Sequence, residues 1–325
     1  MKGDSLSRIA CSRQRRTIST TRGSNGSTPR GSDPRAPAPF LKWAGGKRQL
    51  LPHLRELVPE PFRSAQFTPS GRYFEPFLGG GALYFDLRRT GWNGLAFLGD
   101  MNEALVRTYL GVKGEVEDVI EALVGRPATK KDPGWPPMRY RKAEYLKRRD
   151  KDPLDYSAHA DAAAWLIYMN RCCFNGLWRV NQNGKFNVPI GRYDNPTICD
   201  APTLHAASLA LSLATISHQD FELTLADARE GDLAYLDPPY APLSETSSFT
   251  KYAKENFTDK DQKRLRDSAL ALKRRGVHVI LSNSSAPIIR ELYTAPDFEV
   301  REVDAKRAIN SKAELRGEIK ELLIT

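Results

Sequence analysis

The residues best suited to chemistry form the string Asp-Pro-Pro-Tyr at positions 237–240, directly after a short apolar run. The two prolines, Pro238 and Pro239, fix φ and remove two N–H donors, so the Asp237 carboxylate and the flanking carbonyls stand as acceptors beside the Tyr240 ring. Such acceptors suit a planar amino group on a base, because they return electron density to a nitrogen that is otherwise a poor nucleophile. A proline-rich turn capped by the Asp side chain is the alternative interpretation.

A glycine-rich turn at residues 77–81 is a second candidate, because it follows a predicted strand at 73–76 and precedes a predicted helix at Ala82–Arg89. Glycines at such a turn let backbone N–H groups approach a nucleotide-like ligand closely. Asp100 ends the next predicted strand, 21 residues after Gly79. An acidic side chain at that position accepts hydrogen bonds from ribose hydroxyls or caps the helix that follows, and the two roles are compatible.

Residue spacing excludes several other kinds of site. Tyr84 stands where the NAD fingerprint GxGxxG, counted from Gly79, requires its third glycine, and no Lys-Ser or Lys-Thr pair completes a P-loop. The four cysteines show no CxxC spacing and the five histidines do not cluster with them, so we predict no metal site. This cysteine usage is typical of a reducing compartment, and we expect a cytoplasmic location.

Predicted strands and helices alternate on both sides of a central segment of different composition. This pattern indicates an α/β fold with a Rossmann-like doubly wound sheet and an inserted domain at roughly residues 110–200. Within the insert, residues 170–193 mix Asn, Gly and Arg with aromatic residues, and Asn183-Gly184 is a hairpin turn signal. The predicted strands are 73–76, 95–98, 233–236, 277–281, 298–303 and 322–325, and the predicted helices are 48–58, 82–89, 103–110, 115–124, 141–149, 158–169, 203–211, 260–275 and 287–293.

Much of the positive charge lies at the start of the chain. The 325 residues carry a formal net charge of +10, and residues 1–38 contribute +6 of it from eight basic and two acidic side chains. We predict that this leader is disordered, and a transit peptide, a DNA-gripping arm and a misassigned start are all compatible with it.

The composition excludes collagen, coiled-coil, disulfide-rich and wholly disordered proteins. The longest apolar run has eight residues. About twenty are needed to cross a bilayer, so we predict no transmembrane helix.

Eight segments, in order, resemble the Dam family of S-adenosylmethionine-dependent DNA adenine N6-methyltransferases, from about Pro39 to the last residue. The order is the family's permuted arrangement. The resemblance implies a class I methyltransferase fold with a catalytic domain at 39–110 and 201–325 and a helical and hairpin DNA-recognition insert at 111–200. The segments are FLKWAGGK (40–47), FEPFLGGGAL (74–83), GDMN (99–102), CFNGLWRVNQNGKFNVPIGRY (173–193), HQDF (218–221), YLDPPYAPLSETSSFTKY (235–252), ILSNS (280–284) and KRAINSKAELRGEIKELLIT (306–325).

The resemblance assigns most candidate residues to S-adenosylmethionine or to the target adenine. It implies that Asp237 accepts hydrogen bonds from the target amine and that Tyr240 stacks on the flipped base, with Pro238 and Pro239 completing the catalytic motif. Asp100 would bind the ribose of the cofactor. The other residues implied to bind the cofactor are Trp43, Lys47, Glu75, Pro76, Phe77, Gly79, Gly81, Met101, Asp220 and Phe221, together with Asp237.

The resemblance also implies a set of contacts with double-stranded DNA. Phe174 and Asn175 match the pair that fills the gap left by the flipped base. Arg179 would read a guanine edge, a contact worth about 1–3 kcal/mol of discrimination. Lys42 and Pro189 are further expected contacts. Without the neighbouring motifs, an ordinary surface β-ribbon would be the preferred interpretation of this hairpin, which is compatible with GATC, the commonest target of the family.

The implied reaction is direct in-line methyl transfer to a flipped adenine, with neither a metal ion nor a covalent enzyme intermediate. An RNA adenine methyltransferase and a catalytically silent DNA-binding relative are the alternatives. A nicotinamide oxidoreductase is disfavoured by the missing third glycine. The sequence leaves open the recognition motif, the oligomeric state and the choice among restriction protection, phage DNA masking and repair signalling. We expect no membrane partner.

Overall fold

A seven-stranded sheet forms the centre of the fold. The computed structural model describes residues 36–43, 45, 47–63, 71–126, 136–243, 257–306 and 318–325, so most of the predicted leader lies outside the described residues. The strands are β1 Tyr73–Glu75, β2 Ala96–Asp100, β3 Ala214–His218, β4 Leu233–Leu236, β5 His278–Ser284, β6 Val300–Lys306 and β7 Glu318–Ile324. Their order is β3-β2-β1-β4-β5-β7-β6. Strand β7 runs antiparallel to both of its neighbours, β5 and β6, and the other pairs are parallel.

Helices pack on both faces of this sheet. Four of them begin at a residue whose side chain caps the helix, namely Asn102, Asp200, Asp220 and Thr258. Asn102 accepts from the Leu105 backbone N–H, and Thr258 forms a capping box with Asp261. Within the described ranges, no helix is long and apolar enough to cross a membrane. The helices are α1 Leu51–Leu57, α2 Ala82–Arg89, α3 Glu103–Gly114, α4 Val116–Val124, α5 Lys142–Arg149, α6 His159–Cys172, α7 Ala201–Leu211, α8 Phe221–Leu225, α9 Asp259–Arg274 and α10 Pro287–Leu292.

Alternate residues of the central strands enter two separate hydrophobic cores. In β1, Tyr73 packs in the core that also contains residues of α1 to α7, whereas Phe74 packs in the core that contains residues of α8, α9 and α10. The four residues of β4 divide between the two cores in the same alternating way. A parallel strand that is buried on both faces has a continuous run of apolar residues in its sequence. Such strands can therefore be predicted from the sequence.

The predicted doubly wound sheet is confirmed, although one strand was not predicted and others differ in their bounds. Strand β6 ends three residues later than predicted, and β7 begins four residues earlier. Strand β3 was not predicted, because it lies at the edge of the sheet and its residues alternate between buried and exposed. Strand β5 continues three residues beyond its predicted end. Ser282, Asn283 and Ser284 are polar, but they are buried with hydrogen-bond partners, so the strand can include them.

The hairpin predicted at Asn183-Gly184 is present, although it contains only isolated bridges. Val180 pairs with Phe186, and the Asn181 N–H donates to the Lys185 carbonyl at 2.8 Å. Gly184 has φ of 73°, the left-handed conformation that closes a three-residue hairpin loop.

The strand order reverses between β1 and β4, which are parallel neighbours with Tyr73 opposite Leu233. Their carboxyl ends therefore meet at one edge of the sheet. Open α/β sheets bind ligands in the crevice outside such a reversal. The glycine-rich turn follows β1 and the Asp-Pro-Pro-Tyr string follows β4, so the topology places both candidate sites at this crevice.

Candidate active site

A cleft with a volume of about 1220 Å³ opens at the carboxyl edge of β1 and β4. It is lined by nearly all residues predicted to hold the cofactor or the target base, whereas Pro76 is buried outside the lining. Trp178 and Lys185 of the hairpin line one side of it. The lining residues from the predicted set are Trp43, Lys47, Glu75, Phe77, Gly79, Gly81, Asp100, Met101, Asp220, Phe221, Asp237, Pro238, Pro239 and Tyr240.

The Asp237 carboxylate is held through one of its two oxygens. Lys47 Nζ lies 2.9 Å from Asp237 Oδ1, and Ser282 Oγ donates to the same oxygen at 2.8 Å. The Tyr235 hydroxyl lies 3.1 Å from Ser282 Oγ and completes a buried chain behind the carboxylate. Among the described residues, none donates a hydrogen bond to Asp237 Oδ2. That oxygen can therefore accept from a ligand in the cleft.

Burial raises the pKa of Asp237 above its ordinary value, because the charged carboxylate loses water. The positive charge of Lys47 and the hydrogen bond from Ser282 oppose this rise. Lys47 is itself only 6% exposed and also donates to the Gly45 carbonyl at 2.9 Å. These contacts favour the ionised acceptor that the predicted chemistry requires.

The Tyr240 ring is fixed from both ends. Its hydroxyl donates to Glu321 Oε2 at 2.7 Å, and Lys47 Nζ lies 4.3 Å from the ring centroid. Glu321 belongs to β7, the strand that inserts between β5 and β6. No role for Glu321 was predicted, although its segment belongs to the family resemblance.

A buried amide network holds the proline pair. The Gln262 side chain donates to the Pro239 carbonyl at 3.0 Å and accepts from Asn283 Nδ2 at 3.1 Å. Asn283 Oδ1 accepts from the Ala241 N–H at 3.3 Å, and the Ala241 carbonyl accepts from Ser284 Oγ at 2.6 Å. The Asp-Pro-Pro-Tyr string is therefore rigidly tied to α9 and β5. The Pro239 carbonyl already accepts from Gln262, whereas Asp237 Oδ2 remains an acceptor for a ligand in the part of the cleft that the structure describes.

The glycine-rich turn lies beneath Trp43. A Cβ atom built at Gly79 would lie 2.9 Å from Trp43 Cδ1, and Gly79 has a left-handed φ of 47°. The Gly79 N–H donates to Asp100 Oδ2 at 3.0 Å, and the Asn102 N–H donates to Asp100 Oδ1 at 2.8 Å. Asn102, not Asp100, is the N-cap of α3, so the capping alternative for Asp100 is wrong. Each carboxylate oxygen keeps a second lone pair for a hydroxyl donor.

Glu75 is a buried carboxyl at the end of β1 with an unusual protonation preference. Burial raises the pKa of Glu75 well above its ordinary value, and the nearby negative charges of Asp237 and Asp100 raise it further. The Tyr73 hydroxyl donates to Glu75 Oε2 at 3.0 Å and opposes that rise. Burial therefore favours the neutral form of this carboxyl more than in an exposed glutamate, and a neutral carboxyl can donate a hydrogen bond.

Aromatic rings line the other end of the cleft. The buried Phe221 ring stacks on Phe77 with centroids 5.6 Å apart, and the Phe257 ring closes the group edge-on at 5.6 Å from Phe77. Asp220 caps α8 by accepting from the Glu222 N–H at 3.0 Å. Arg264 Nη2 donates to Asp220 Oδ1 at 3.0 Å. A flat apolar slot beside a carboxylate suits a planar heterocycle that carries an amino group.

The residues predicted to contact DNA lie outside the lining of the cleft, on an adjoining surface. Asn170 is buried and ties this surface together: it accepts from the Lys42 N–H at 2.9 Å and donates to the Gly176 carbonyl at 3.0 Å. Phe174 is 41% exposed, an unusual state for a large apolar side chain. Asn175 has φ of 54°, a left-handed conformation that is rare outside glycine.

Arg179 is exposed and already has hydrogen-bond partners. Its guanidinium donates to Asn187 Oδ1 at 2.7 Å and to the Asn187 carbonyl at 3.1 Å across the hairpin. Pro189 is also exposed, and its carbonyl accepts from the Phe174 N–H at 2.9 Å. Within the described ranges, no three His, Cys, Asp or Glu side chains are grouped as a metal site requires.

Comparison with known proteins identifies the family. A family model described as D12 class N6 adenine-specific DNA methyltransferase matches residues 43–309. The Type II methyltransferase M1.LlaDCHI of Lactococcus lactis subsp. cremoris is 41% identical over 293 residues, which cover 88% of this chain and 94% of that protein. The Type II methyltransferase M.MjaIII of Methanocaldococcus jannaschii is 39% identical, over 88% and 98%. The DNA adenine methylase of Escherichia coli K12 is 31% identical, over 87% and 93%. The chain belongs to the D12 class of N6 adenine-specific DNA methyltransferases.

Proposed function

We propose that this methyltransferase uses S-adenosylmethionine to methylate N6 of adenine in a short duplex DNA motif, GATC, after flipping the base out of the helix. The observation that carries this proposal is the Asp237 carboxylate beside the Tyr240 ring. It is anchored through Oδ1, and Oδ2 has no donor among the described residues. It shares one cleft with the glycine-rich turn. The domain division, with residues 111–200 as the DNA-recognition insert, is part of the proposal.

The cleft residues fit S-adenosylmethionine. Gly79 lines the cleft without a side chain, and Trp43 packs on its backbone where a Cβ atom would collide. Asp100 offers acceptors for ribose hydroxyls, and Asp220 with the Phe221 ring offers an acceptor and a stacking face for adenine. When bound, S-adenosylmethionine supplies an electrophilic methyl group on a sulfonium, which is a good leaving group.

The chain's own residues act by positioning and electrostatics. Asp237 accepts from the flipped adenine amine, which localises electron density on N6, and the Tyr240 ring holds the plane of the base. Lys47 and Ser282 keep the carboxylate ionised and aimed at the cleft. Flipping costs a few kcal/mol in lost stacking and pairing. We assign the filling of the resulting gap to Phe174 and Asn175, a role that their exposure supports.

We assign recognition of the DNA motif to the hairpin. Arg179 gives up its two hydrogen bonds to Asn187 and donates to a guanine edge instead. Lys42 and Pro189 contact the adjoining DNA. Because Asn187 holds the guanidinium on the exposed face before DNA arrives, little side-chain entropy is lost on binding. Replacing Arg179 by Ala should relax the motif at one base pair and leave cofactor binding unchanged. Unaltered motif selectivity would contradict this assignment.

The test of the proposed function uses purified protein, labelled S-adenosylmethionine and unmethylated genomic DNA, followed by single-molecule sequencing of the product. N6-methyladenine at GATC would support the whole proposal. N6-methyladenine at another motif would keep the reaction and overturn the GATC assignment. Label on RNA but not on DNA would favour an RNA methyltransferase. Failure to bind the cofactor at all would favour a catalytically silent relative.

A further inference from the structure

The positive charge of the chain outside its leader is concentrated in one segment. Residues 139–151, here called the basic segment, contain seven Lys or Arg and two Asp or Glu, a net charge of +5. The leader at 1–38 accounts for a further +6 of the total +10. All other residues together therefore carry a net charge of −1, so the basic segment is a local feature and not part of a general surplus.

The cations of the basic segment face solvent. Five of them are exposed, and none of these five forms an ion pair with any described residue. Of the other two, Arg148 is paired with Glu144 at 2.6 Å and Arg149 is half-buried. Clustered like charges repel one another, and a polyanion that binds them removes that repulsion. The five exposed cations are Arg139, Arg141, Lys142, Lys147 and Lys151.

The basic segment packs directly on the DNA-recognition hairpin. The Tyr145 hydroxyl donates to the Val188 carbonyl at 2.8 Å, and the Tyr140 hydroxyl donates to the Gly191 carbonyl at 2.5 Å. These two carbonyls flank Pro189. The Tyr193 N–H donates to the Tyr140 hydroxyl at 3.2 Å, and Lys42 Nζ lies 5.1 Å from the Tyr193 ring. One end of the segment thus adjoins two of the predicted DNA contacts.

The other end of the basic segment reaches the active-site cleft. Lys151 lines this cleft, as does the hairpin residue Lys185. The segment therefore extends between the DNA-recognition surface and the mouth of the cleft that receives the target base. Phosphates on either side of a flipped nucleotide must pass close to this mouth.

We propose that the basic segment binds backbone phosphates of duplex DNA flanking the target adenine, an inference that rests on the proposed function. Phosphate contacts fix the register of a protein on the duplex but carry no sequence information. The two elements then have different roles. The hairpin recognises bases, and the basic segment contributes the salt-dependent part of the affinity for DNA. Removing cations of the basic segment should weaken binding to all DNA sequences, whereas removing Arg179 should alter which motif is methylated.

The test compares the salt dependence of DNA binding for the full chain and the double variant Lys142→Ala/Lys147→Ala. Each phosphate contact contributes about 0.9 to the slope of log K against log salt, so losing two should lower the slope by about 1.8. Between 50 and 200 mM salt, the variant should therefore lose about 12-fold less affinity than the parent. The change should be equal on a GATC duplex and a scrambled duplex, with unchanged affinity for S-adenosylmethionine.

A matched control removes two exposed cations at the opposite edge of the sheet. Arg229 precedes β4 and Arg274 ends α9, and the double variant Arg229→Ala/Arg274→Ala should keep the parental slope. The variant Lys142→Gln/Lys147→Gln removes the charge but keeps a long polar side chain, and it should lower the slope as the Ala pair does. This second variant provides a readout even if the Ala pair folds poorly.

Four results would overturn the proposal. Three of them are an unchanged slope in the Lys142→Ala/Lys147→Ala variant, an equal loss of slope in the control pair, and a loss of slope confined to the GATC duplex. A loss confined to duplex RNA of the same sequence would overturn it in favour of an RNA partner. If the parental chain neither binds nor methylates DNA, the proposed function fails together with this inference. If the parental chain methylates DNA normally, a negative result refutes the basic segment alone.

Discussion

Replacing Ser282 by Ala tests how the fold holds the Asp237 carboxylate. Ser282 Oγ donates to Asp237 Oδ1 at 2.8 Å and lies 3.1 Å from the Tyr235 hydroxyl. Loss of a hydrogen bond to a charged group costs about 1.5–3 kcal/mol. Because about 1.4 kcal/mol is tenfold in rate, kcat/KM should fall by roughly one to two orders of magnitude. The lost donor also favoured the ionised form, so the pKa of Asp237 should rise further above its ordinary value.

The assay is the pH dependence of kcat/KM for methyl transfer to duplex DNA, whose acid limb reports an essential base of the free enzyme. The ionised form of Asp237 is the stronger acceptor for the amine. Activity is therefore present above its pKa and is lost as pH falls through it. Ser282→Ala should move this limb to higher pH. Lys47→Gln should move it further, since the charge of Lys47 opposes the effect of burial most strongly.

The matched control is Ser284→Ala, which removes another buried hydroxyl of β5. Ser284 Oγ donates to the Ala241 carbonyl at 2.6 Å and does not contact Asp237. Its loss should leave the acid limb in place, whereas Ser282→Thr should retain a donor and recover much of the rate. A Ser282→Ala defect of equal size at every pH would refute the reasoning, because it would show that the residue serves packing alone.

Three further predictions follow from single contacts. Glu321→Gln should lower kcat more than it alters KM, because the Tyr240 hydroxyl donates to Glu321 at 2.7 Å. The effects of Glu321→Gln and Tyr240→Phe on the single-turnover rate should be non-additive in a double-mutant cycle, and full additivity would count against the coupling. Gly79→Ala should weaken binding of S-adenosylmethionine, because the new Cβ meets Trp43 at 2.9 Å; an unchanged Kd by calorimetry would disprove this. Thr258→Ala should lower the free energy of unfolding in urea by about 0.5–2 kcal/mol through loss of the capping box, and an unshifted midpoint would contradict it.

The interior of the fold could be predicted from the sequence because its local signals agree with its tertiary environment. Strand β4 is an uninterrupted apolar run, and it is buried on both faces. Helix α9 carries its own cap signal at Thr258 and its own stop at Gly276, which has a left-handed φ of 77°. Strand β3 escaped prediction because an edge strand with one exposed face has no comparable apolar run.

Only those residues of the candidate site that belong to a short sequence motif could be predicted. Asp237 stands out because two prolines follow it and an apolar strand precedes it. Ser282, Gln262 and Glu321 act through contacts made by β5, α9 and β7, and no local spacing relates those elements to the motif. Glu321 depends most on topology, since β7 enters the sheet antiparallel between two strands that precede it in the chain.

The most direct measurement compares the parental chain with Asp237→Asn in single-turnover methyl transfer from labelled S-adenosylmethionine to an unmethylated GATC duplex. DNA affinity is measured in parallel. The substitution keeps the shape of the side chain but replaces the charged acceptor with a neutral amide. We expect N6-methyladenine from the parental chain, almost none from the variant, and similar DNA affinity for both. Transfer by Asp237→Asn at the parental rate would contradict the central role of this carboxylate.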